Sequence, residues 1–341
     1  MQTILITGSE GELGQALIDA FLEDADTRIV TFDIRDIGAP AIGSRRVHRL
    51  GDITDGGCVS RLFEEFDFDG VFHLAAILSS SGESRPERTH EVNVDGSLRV
   101  LSAAQANSVR RGAAVKVVFP STMAVYGVPQ SEKHAGERLK EDEFNHPITM
   151  YGINKLYAEQ LGSYYSHHYR LLTSTPSDIR LDFRALRLPG IISAKTLPSG
   201  GTSDYGSEMI HAAAACRPYA CFVPPQVRLP FMIMPDAVRA LVEMYRTPRA
   251  ALTRDVYNVG GFSVAAEEIA AKVKATLPHF SISYEPNPGR TQIAESWPCD
   301  LDDAQAMADW GWRPLHSFDK AFSDYLIPAI TQRYEHLQRY P

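Results

Sequence analysis

The chain has 341 residues, of which 44% are hydrophobic and 22% charged, the composition of an ordinary globular protein with a sizeable core. A formal net charge of −8, without a dense run of Lys and Arg, argues against a nucleic-acid-binding surface. The four cysteines lack the paired spacing of metal ligands, so we predict free thiols and no metal.

The N-terminal residues enter an apolar strand at once, which leaves no room for a signal segment. No apolar run approaches the roughly 20 residues that are needed to cross a bilayer. We therefore expect a cytoplasmic protein that has no membrane partner.

Strand-like and helical stretches alternate from the N-terminus to about residue 188. Strands are predicted at 3–7, 28–32, 70–74, 115–119 and 182–188. This alternation is typical of an α/β protein with a Rossmann-type, doubly wound parallel sheet. Beyond residue 188 the pattern loosens, with helices predicted near 208–215 and 235–245 and a strand at 281–284.

A glycine-rich turn, Gly8-Ser9-Glu10-Gly11-Glu12-Leu13-Gly14, joins the first strand to the first helix. Gly8 permits a tight turn, Gly11 lets the backbone approach a pyrophosphate, and Gly14 lets the helix pack close to the sheet. The amides of the helix N-terminus, around Glu12 and Leu13, face the phosphates. Asp33 closes the second strand, where a carboxylate accepts hydrogen bonds from the adenosine ribose and repels a 2′-phosphate. These residues predict NAD as the cofactor.

The alternation of strands and helices, and its loosening beyond residue 188, predict how the chain divides into domains. We expect an NAD-binding Rossmann domain at 1–188 plus about 235–262, and a smaller C-terminal substrate-binding lobe at about 189–234 plus 263–341.

Further cofactor contacts are expected where later strands end. Gly51-Asp52-Ile53 ends the third strand, where Asp52 and Ile53 can bracket an adenine. Leu74, Ala75 and Ala76 end the fourth strand at the edge where a dinucleotide lies. Asn93 begins a helix and is either a local cap or a structural residue of the active site. His73, with apolar neighbours, is interpreted as a packed strand residue.

Tyr151 and Lys155 are four residues apart and share one helical face. A phenol is a poor base at neutral pH, and a neighbouring ammonium lowers its pKa by stabilising the phenolate. Lys155 can also hold the nicotinamide ribose. Thr122, just after a predicted strand, can hold the substrate oxygen beside Tyr151. This set of residues predicts hydride transfer in which Tyr151 takes the alcohol proton.

The glycine turn, Asp52, Thr122, Tyr151 and Lys155 together resemble the extended, sugar-epimerase-like short-chain dehydrogenase/reductase family. Further tracts resemble its NAD-dependent threonine dehydrogenase branch, at 73–79, 188–193 with 200–205, 229–236, and 295–298 through 309–312. The resemblance covers nearly the whole chain.

The resemblance implies oxidation of the β-hydroxyl of L-threonine by NAD, giving 2-amino-3-oxobutyrate without a metal. It implies a homodimer through the helix that carries Tyr151. It also implies a substrate pocket lined by Ser79, Thr122, Tyr151, Thr202 and Trp297. For Thr202 the alternative is an ordinary turn hydroxyl, and for Trp297 an aromatic residue of the core.

Other functions remain open from the sequence. A sugar-nucleotide epimerase would return the hydride to its substrate and release no NADH, and another small hydroxy acid could replace threonine. A cofactor-sensing protein would have no need of a base such as Tyr151. The chain departs from the family pattern at Ala76, where serine is frequent, and in the long connection 170–180.

Overall fold

The computed structural model describes residues 1–38, 44–134, 136–174, 178–198 and 200–339, with side chains to residue 335. Residues 175–177 of the long connection 170–180, and Ser199 beside the predicted substrate loop, lie outside the described residues. The strands are β1 (Gln2–Thr7), β2 (Thr27–Asp33), β3 (Arg46–Leu50), β4 (Gly70–His73), β5 (Lys116–Thr122), β6 (Asp182–Leu188), β7 (Gly190–Ile192), β8 (Tyr219–Cys221), β9 (Arg228–Ile233), β10 (Val256–Asn258), β11 (Phe262–Ala265) and β12 (Ile282–Tyr284).

The α-helices are α1 (Glu12–Leu22), α2 (Gly56–Glu65), α3 (Ser79–Ser84), α4 (Pro86–His90), α5 (Gly96–Arg111), α6 (Met150–His167), α7 (Tyr205–Ala214), α8 (Met234–Arg246), α9 (Ala266–Thr276), α10 (Pro288–Ser296), α11 (Ala304–Trp310), α12 (Phe318–Lys320) and α13 (Ile327–Arg339). Two π-helical segments, Glu91–Asp95 and Ala321–Leu326, join α4 to α5 and α12 to α13. None of these helices, within the described ranges, has both the length and the apolar character that crossing a bilayer demands.

The central sheet has seven strands in the order β10-β6-β5-β4-β1-β2-β3. The pairings of β1 with β2 and β4, of β2 with β3 and of β4 with β5 are parallel. From β1 the chain adds β2 and β3 on one side, and then crosses back to add β4 and β5 on the other side. The carboxyl ends of β1 and β4 are therefore the switch point, where such sheets bind ligands. The predicted Rossmann-type fold is confirmed.

The first strand and helix form because their apolar positions follow two different periods. Ile4, Leu5 and Ile6 of β1 are fully buried in the middle of the sheet. In α1, Leu17, Ile18 and Phe21 fall on one buried face. The strand and the helix are thus held on either side of the glycine turn.

The chain divides into two compact units. The first comprises 1–122, 150–187 and 238–257, and the second comprises 123–149, 188–237 and 258–341. Residues 123–149 thus group with the second unit, whereas the sequence pattern placed them in the first domain. Which unit binds which ligand stays a prediction.

Smaller sheets form the second unit. One has three strands in the order β11-β9-β7, and the other pairs β12 with β8 in parallel. The segment that contains Tyr126 and Leu139 is fixed by Asn258, which accepts a hydrogen bond from the Tyr126 hydroxyl at 2.7 Å and donates one to Leu139 O at 2.8 Å.

Candidate active site

The glycine turn follows β1 at the switch point of the sheet. Gly8 has φ of +66°, and a Cβ atom there would lie 2.6 Å from the backbone nitrogen of Ala75, so glycine is required both by conformation and by space. A Cβ on Gly14 would lie 2.5 Å from Ser9 O. Gly11 caps α1, which begins at Glu12 and continues through Leu13. The free amides of this helix N-terminus fit the pyrophosphate of a dinucleotide.

Asp33 lies at the end of β2, next to this turn, and is buried. One of its carboxylate oxygens accepts a hydrogen bond from the Glu10 amide at 2.9 Å, and the other accepts one from the Arg35 amide at 2.9 Å. The orientation of the carboxylate is therefore set by the backbone on both sides. Its remaining acceptor capacity fits two ribose hydroxyls, as NAD recognition requires.

Asp52 and Ile53 lie just beyond β3, which ends at Leu50 and so before the expected Gly51-Asp52-Ile53 terminus. Asp52 accepts hydrogen bonds from the Thr54 amide at 2.8 Å and from the Arg88 guanidinium at 3.0 Å. No sequence pattern pointed to Arg88, because the contact joins residues 36 positions apart.

Leu74, Ala75 and Ala76 follow β4 and lie beside the glycine turn, since the Leu74 amide donates to Thr7 O at 3.1 Å. His73 is buried between the hydroxyls of Thr7, at 2.8 Å, and Ser97, at 3.0 Å. Burial lowers the pKa of His73 to about 3, so this imidazole is neutral at physiological pH. These properties agree with the interpretation of His73 as a packed strand residue.

Asn93 does not begin a helix but lies inside the π-helical segment, where it is buried. Its side chain accepts a hydrogen bond from the Ile77 amide at 2.8 Å and donates one to Ile77 O at 2.9 Å. It therefore acts across 16 residues and not as a local cap. Its effect is to fix the segment between β4 and Ser79, which is buried at the start of α3.

Thr122, Tyr151 and Lys155 come together in the first unit. Thr122 ends β5, and its side chain shares a hydrogen bond with the hydroxyl of Tyr151 in the first turn of α6. Lys155 lies one turn further along α6 and donates a hydrogen bond to Pro120 O at 2.8 Å. Its ammonium also lies 4.2 Å from the centroid of the Phe119 ring.

The electrostatics of this group differ from the sequence-based expectation. Burial raises the pKa of Tyr151 to about 12, and the hydrogen bond with Thr122 opposes that rise only in part. Burial also lowers the pKa of Lys155 to about 7, against the opposing effect of Glu159. The expected lowering of the Tyr151 pKa by Lys155 is therefore not observed, and burial governs the direction of both pKa shifts.

Two predicted substrate residues lie in the second unit. Thr202 is 1% exposed, and among the described residues its hydroxyl oxygen has no hydrogen-bond partner. Its loop is held by Asp204, whose carboxylate accepts hydrogen bonds from the amides of Gly200 and Gly201. Trp297 is buried just after α10. A buried hydroxyl without a partner is unusual and fits a polar ligand at Thr202.

Sequence reasoning missed a buried cluster of three residues, Glu159, Ser121 and Arg187. Glu159 lies one turn beyond Lys155 on α6, where it contacts Ser121 and Arg187. The spacing of Tyr151, Lys155 and Glu159 on one helical face was the available signal for Glu159. No local pattern marks Arg187, because it comes from β6.

Comparisons with known proteins show the family of the chain. Residues 4–260 match the NAD dependent epimerase/dehydratase family. The chain is 34% identical over 326 residues to the mitochondrial L-threonine 3-dehydrogenase of Bos taurus, an alignment that covers 93% of this chain and 79% of the bovine protein.

Solved structures give the same result. A monomeric L-threonine 3-dehydrogenase from a metagenome matches with a TM-score of 0.82 and 33% identity, over 98% of this chain and 99% of the other. The L-threonine 3-dehydrogenase of Trypanosoma brucei matches with a TM-score of 0.82 and 33% identity, over 97% and 98% of the two chains. The chain therefore belongs to the NAD-dependent epimerase/dehydratase family, and NAD is its cofactor.

Proposed function

We propose that this protein is an L-threonine 3-dehydrogenase, which oxidises the β-hydroxyl of L-threonine with NAD and yields 2-amino-3-oxobutyrate. The observation that carries the proposal is the hydrogen bond between Thr122 and Tyr151, with Lys155 one turn away on the same helix. The names of the relatives at 33% to 34% identity support threonine as the substrate.

The geometry of the first unit supports the following cofactor contacts as part of the proposal. The glycine turn with Glu12 and Leu13 holds the pyrophosphate, Asp33 the adenosine ribose, and Asp52 with Ile53 the adenine. Leu74, Ala75 and Ala76 provide backbone close to the dinucleotide, on the segment that Asn93 fixes. Bound NAD supplies the hydride acceptor.

The chain's own residues handle the proton and the orientation of the substrate. Thr122 orients the β-hydroxyl of threonine. Tyr151 removes the proton of this hydroxyl while the hydride leaves the β-carbon. The charge of Lys155 favours the phenolate form of Tyr151, and its ammonium holds the nicotinamide ribose. Ser79 and Thr202 bind the polar groups of the amino acid, and Trp297 closes the cavity. We assign no metal to this reaction.

The test is a panel of L-threonine, other small hydroxy acids and UDP-sugars, with purified protein and NAD. NADH formation with L-threonine supports the proposal, and NADH formation only with another hydroxy acid reassigns the substrate. Interconversion of UDP-glucose and UDP-galactose without net NADH would replace the proposal by the epimerase alternative. NADH binding without any turnover would indicate a cofactor sensor.

A homodimer in the cytoplasm belongs to the same proposal. The helix α6 exposes Ile153 and Tyr157 one turn apart, an apolar surface suited to a second copy of the chain. One relative, however, is named monomeric, and another is named mitochondrial. Light scattering of the purified protein measures the oligomeric state. Imaging of the tagged protein in its cell determines its location.

A further inference from the structure

Hydrogen bonds connect the end of β5 to one face of α6. The last three residues of the strand each hydrogen-bond one residue of the helix, in the pairs Pro120 with Lys155, Ser121 with Glu159 and Thr122 with Tyr151. Two of these helix residues form the proposed hydride-transfer site. The third, Glu159, has no part in the mechanism given above.

Glu159 is fully buried and is held by two partners besides its own helix. The guanidinium of Arg187 approaches its carboxylate from β6, with Nη2 at 2.7 Å from Oε2 and Nε at 3.0 Å from Oε1. The hydroxyl of Ser121 donates a further hydrogen bond to Oε1. Arg187 is itself only 3% exposed. The carboxylate is therefore fixed in one position.

A buried ion pair is weak support for stability, because desolvation of the two charges offsets much of their attraction. Its position beside Lys155 suggests a different role. Lys155 is a third buried charge in the same region, and burial lowers its pKa to about 7, whereas the negative charge of Glu159 raises it. Without Glu159, buried Arg187 would lose its carboxylate partner, and Lys155 would lose the charge that raises its pKa.

We propose that Glu159, held by Arg187 and Ser121, is a positioning residue that keeps the ammonium of Lys155 charged and directed at Pro120 O. The inference rests on the proposed function, because Lys155 acts there on the ribose and on Tyr151. In this proposal Glu159 acts through Lys155 and not by contact with substrate or cofactor. Among the described residues, the other titratable groups that face Lys155 are Tyr151 on α6 and His73 on β4, and both are uncharged at neutral pH.

The test measures NADH affinity by fluorescence as a function of pH. NADH is held by the charged form of Lys155, so its affinity is full below the pKa of Lys155 and falls as the pH rises through it. In Glu159→Gln this fall should occur at a pH lower by about one unit, so that NADH binds about tenfold more weakly in the affected range. An unchanged midpoint in Glu159→Gln overturns the proposal.

A second buried acid–arginine pair on β6, the strand that carries Arg187, provides a matched control. Asp182 forms a similar two-point pair with buried Arg184, at 2.6 Å and 2.9 Å, and Arg184 also donates to backbone oxygens of residues 244 and 247. Asp182→Asn should lower the melting temperature without moving the pH midpoint. An equal shift in Asp182→Asn and Glu159→Gln would show a general structural effect and would also overturn the proposal.

If Glu159→Gln does not fold, because Arg187 is left unpaired, the double variant Glu159→Gln/Arg187→Gln removes both charges together. The midpoint should still move to lower pH, since Glu159 is the charge that raises the pKa of Lys155. An unmoved midpoint overturns the proposal in this variant as well. NADH binding does not depend on threonine, so a wild-type protein that fails to oxidise L-threonine would refute the proposed function alone.

Discussion

The ammonium of Lys155 lies 5.8 Å from the centroid of the Tyr151 ring. Lys155 is buried and Tyr151 half-buried. A charge on either group would act on the other through a medium of low dielectric constant. Such groups titrate as a pair, and the apparent pKa values seen in a rate profile belong to the pair. The predictions on the base and on pH follow from this relationship.

Replacing Tyr151 by Phe keeps the ring and removes the ionisable hydroxyl. We expect kcat with L-threonine to fall by roughly 100-fold or more, because no other group takes the alcohol proton, while NADH affinity changes little. Steady-state kinetics and NADH fluorescence measure the two effects. Tyr164→Phe, on the exposed side of the same helix, serves as the control. Near-normal turnover by Tyr151→Phe would eliminate this mechanism.

The rate of oxidation should rise with pH. Burial raises the pKa of Tyr151 to about 12, so the phenolate fraction is small at neutral pH and grows as the pH increases. At saturating NAD and threonine, kcat should climb by up to about tenfold per pH unit between about pH 7 and pH 9. Stopped-flow or steady-state rates across this range measure the slope. The rise should be lost in Tyr151→Phe, and the same slope in wild type and Tyr151→Phe contradicts the role of Tyr151 as base.

Asp33 should determine the choice between NAD and NADP. Its carboxylate is fixed by the amides of Glu10 and Arg35, where it repels a 2′-phosphate. Asp33→Ser should narrow the preference for NAD by about tenfold or more, since like charges brought together cost several kcal/mol. The ratio of kcat/KM for the two cofactors is the measurement, with exposed Asp36→Ser as the control. Equal use of both cofactors by the unmodified enzyme would refute the assignment.

Thr202→Ala should separate binding from stability. In the proposed complex the Thr202 hydroxyl donates a hydrogen bond to the carboxylate of the bound threonine. Loss of such a bond costs roughly 1.5–3 kcal/mol of binding free energy, so the KM for L-threonine should rise by about 10- to 100-fold. The melting temperature should not fall, because the hydroxyl is buried without a partner among the described residues. Thr202→Ser keeps the hydroxyl and should retain a KM near that of the wild type. A lower melting temperature with an unchanged KM would make Thr202 an ordinary turn residue.

Gly8→Ala should abolish tight cofactor binding. The added methyl group would lie 2.6 Å from Ala75 N, and φ is +66°. We expect NADH affinity to fall by at least about tenfold, because the turn must shift away from the phosphates. Gly112→Ala tests backbone strain alone, since Gly112 has φ of +71° but open space around it. Equal NADH affinity in the two variants would show that the contact with Ala75 is unimportant.

The sequence was most informative where function depends on local spacing. The glycine turn lies between one strand and one helix, and Tyr151 and Lys155 are one helical turn apart, so their positions follow from the chain's own periodicity. The fold class followed from the same alternation of strands and helices. Even Asp33 could be placed, because it ends the strand after the first helix.

Contacts between residues that are far apart in the sequence could not be predicted from local spacing. Asn93 was interpreted as a cap or an active-site residue, yet its side chain fixes Ile77 on another segment. Arg88 reaches Asp52, and Arg187 reaches Glu159, only after the sheet and helices have assembled. Likewise, the high pKa of Tyr151 arises from burial, which is a property of the packed fold and not of residue spacing.

The order of strands in the central sheet has a consequence for synthesis of the protein. Strands β1 to β5 come from the first 122 residues, but their neighbours β6 and β10 come from 182–188 and 256–258. At a translation rate of about 5–20 residues per second, about 3 to 13 seconds pass between the synthesis of β5 and that of its neighbour β6. During that time the nascent chain carries an unpaired strand edge of Val117, Val118 and Phe119, which is a surface that chaperones recognise and that other chains can join.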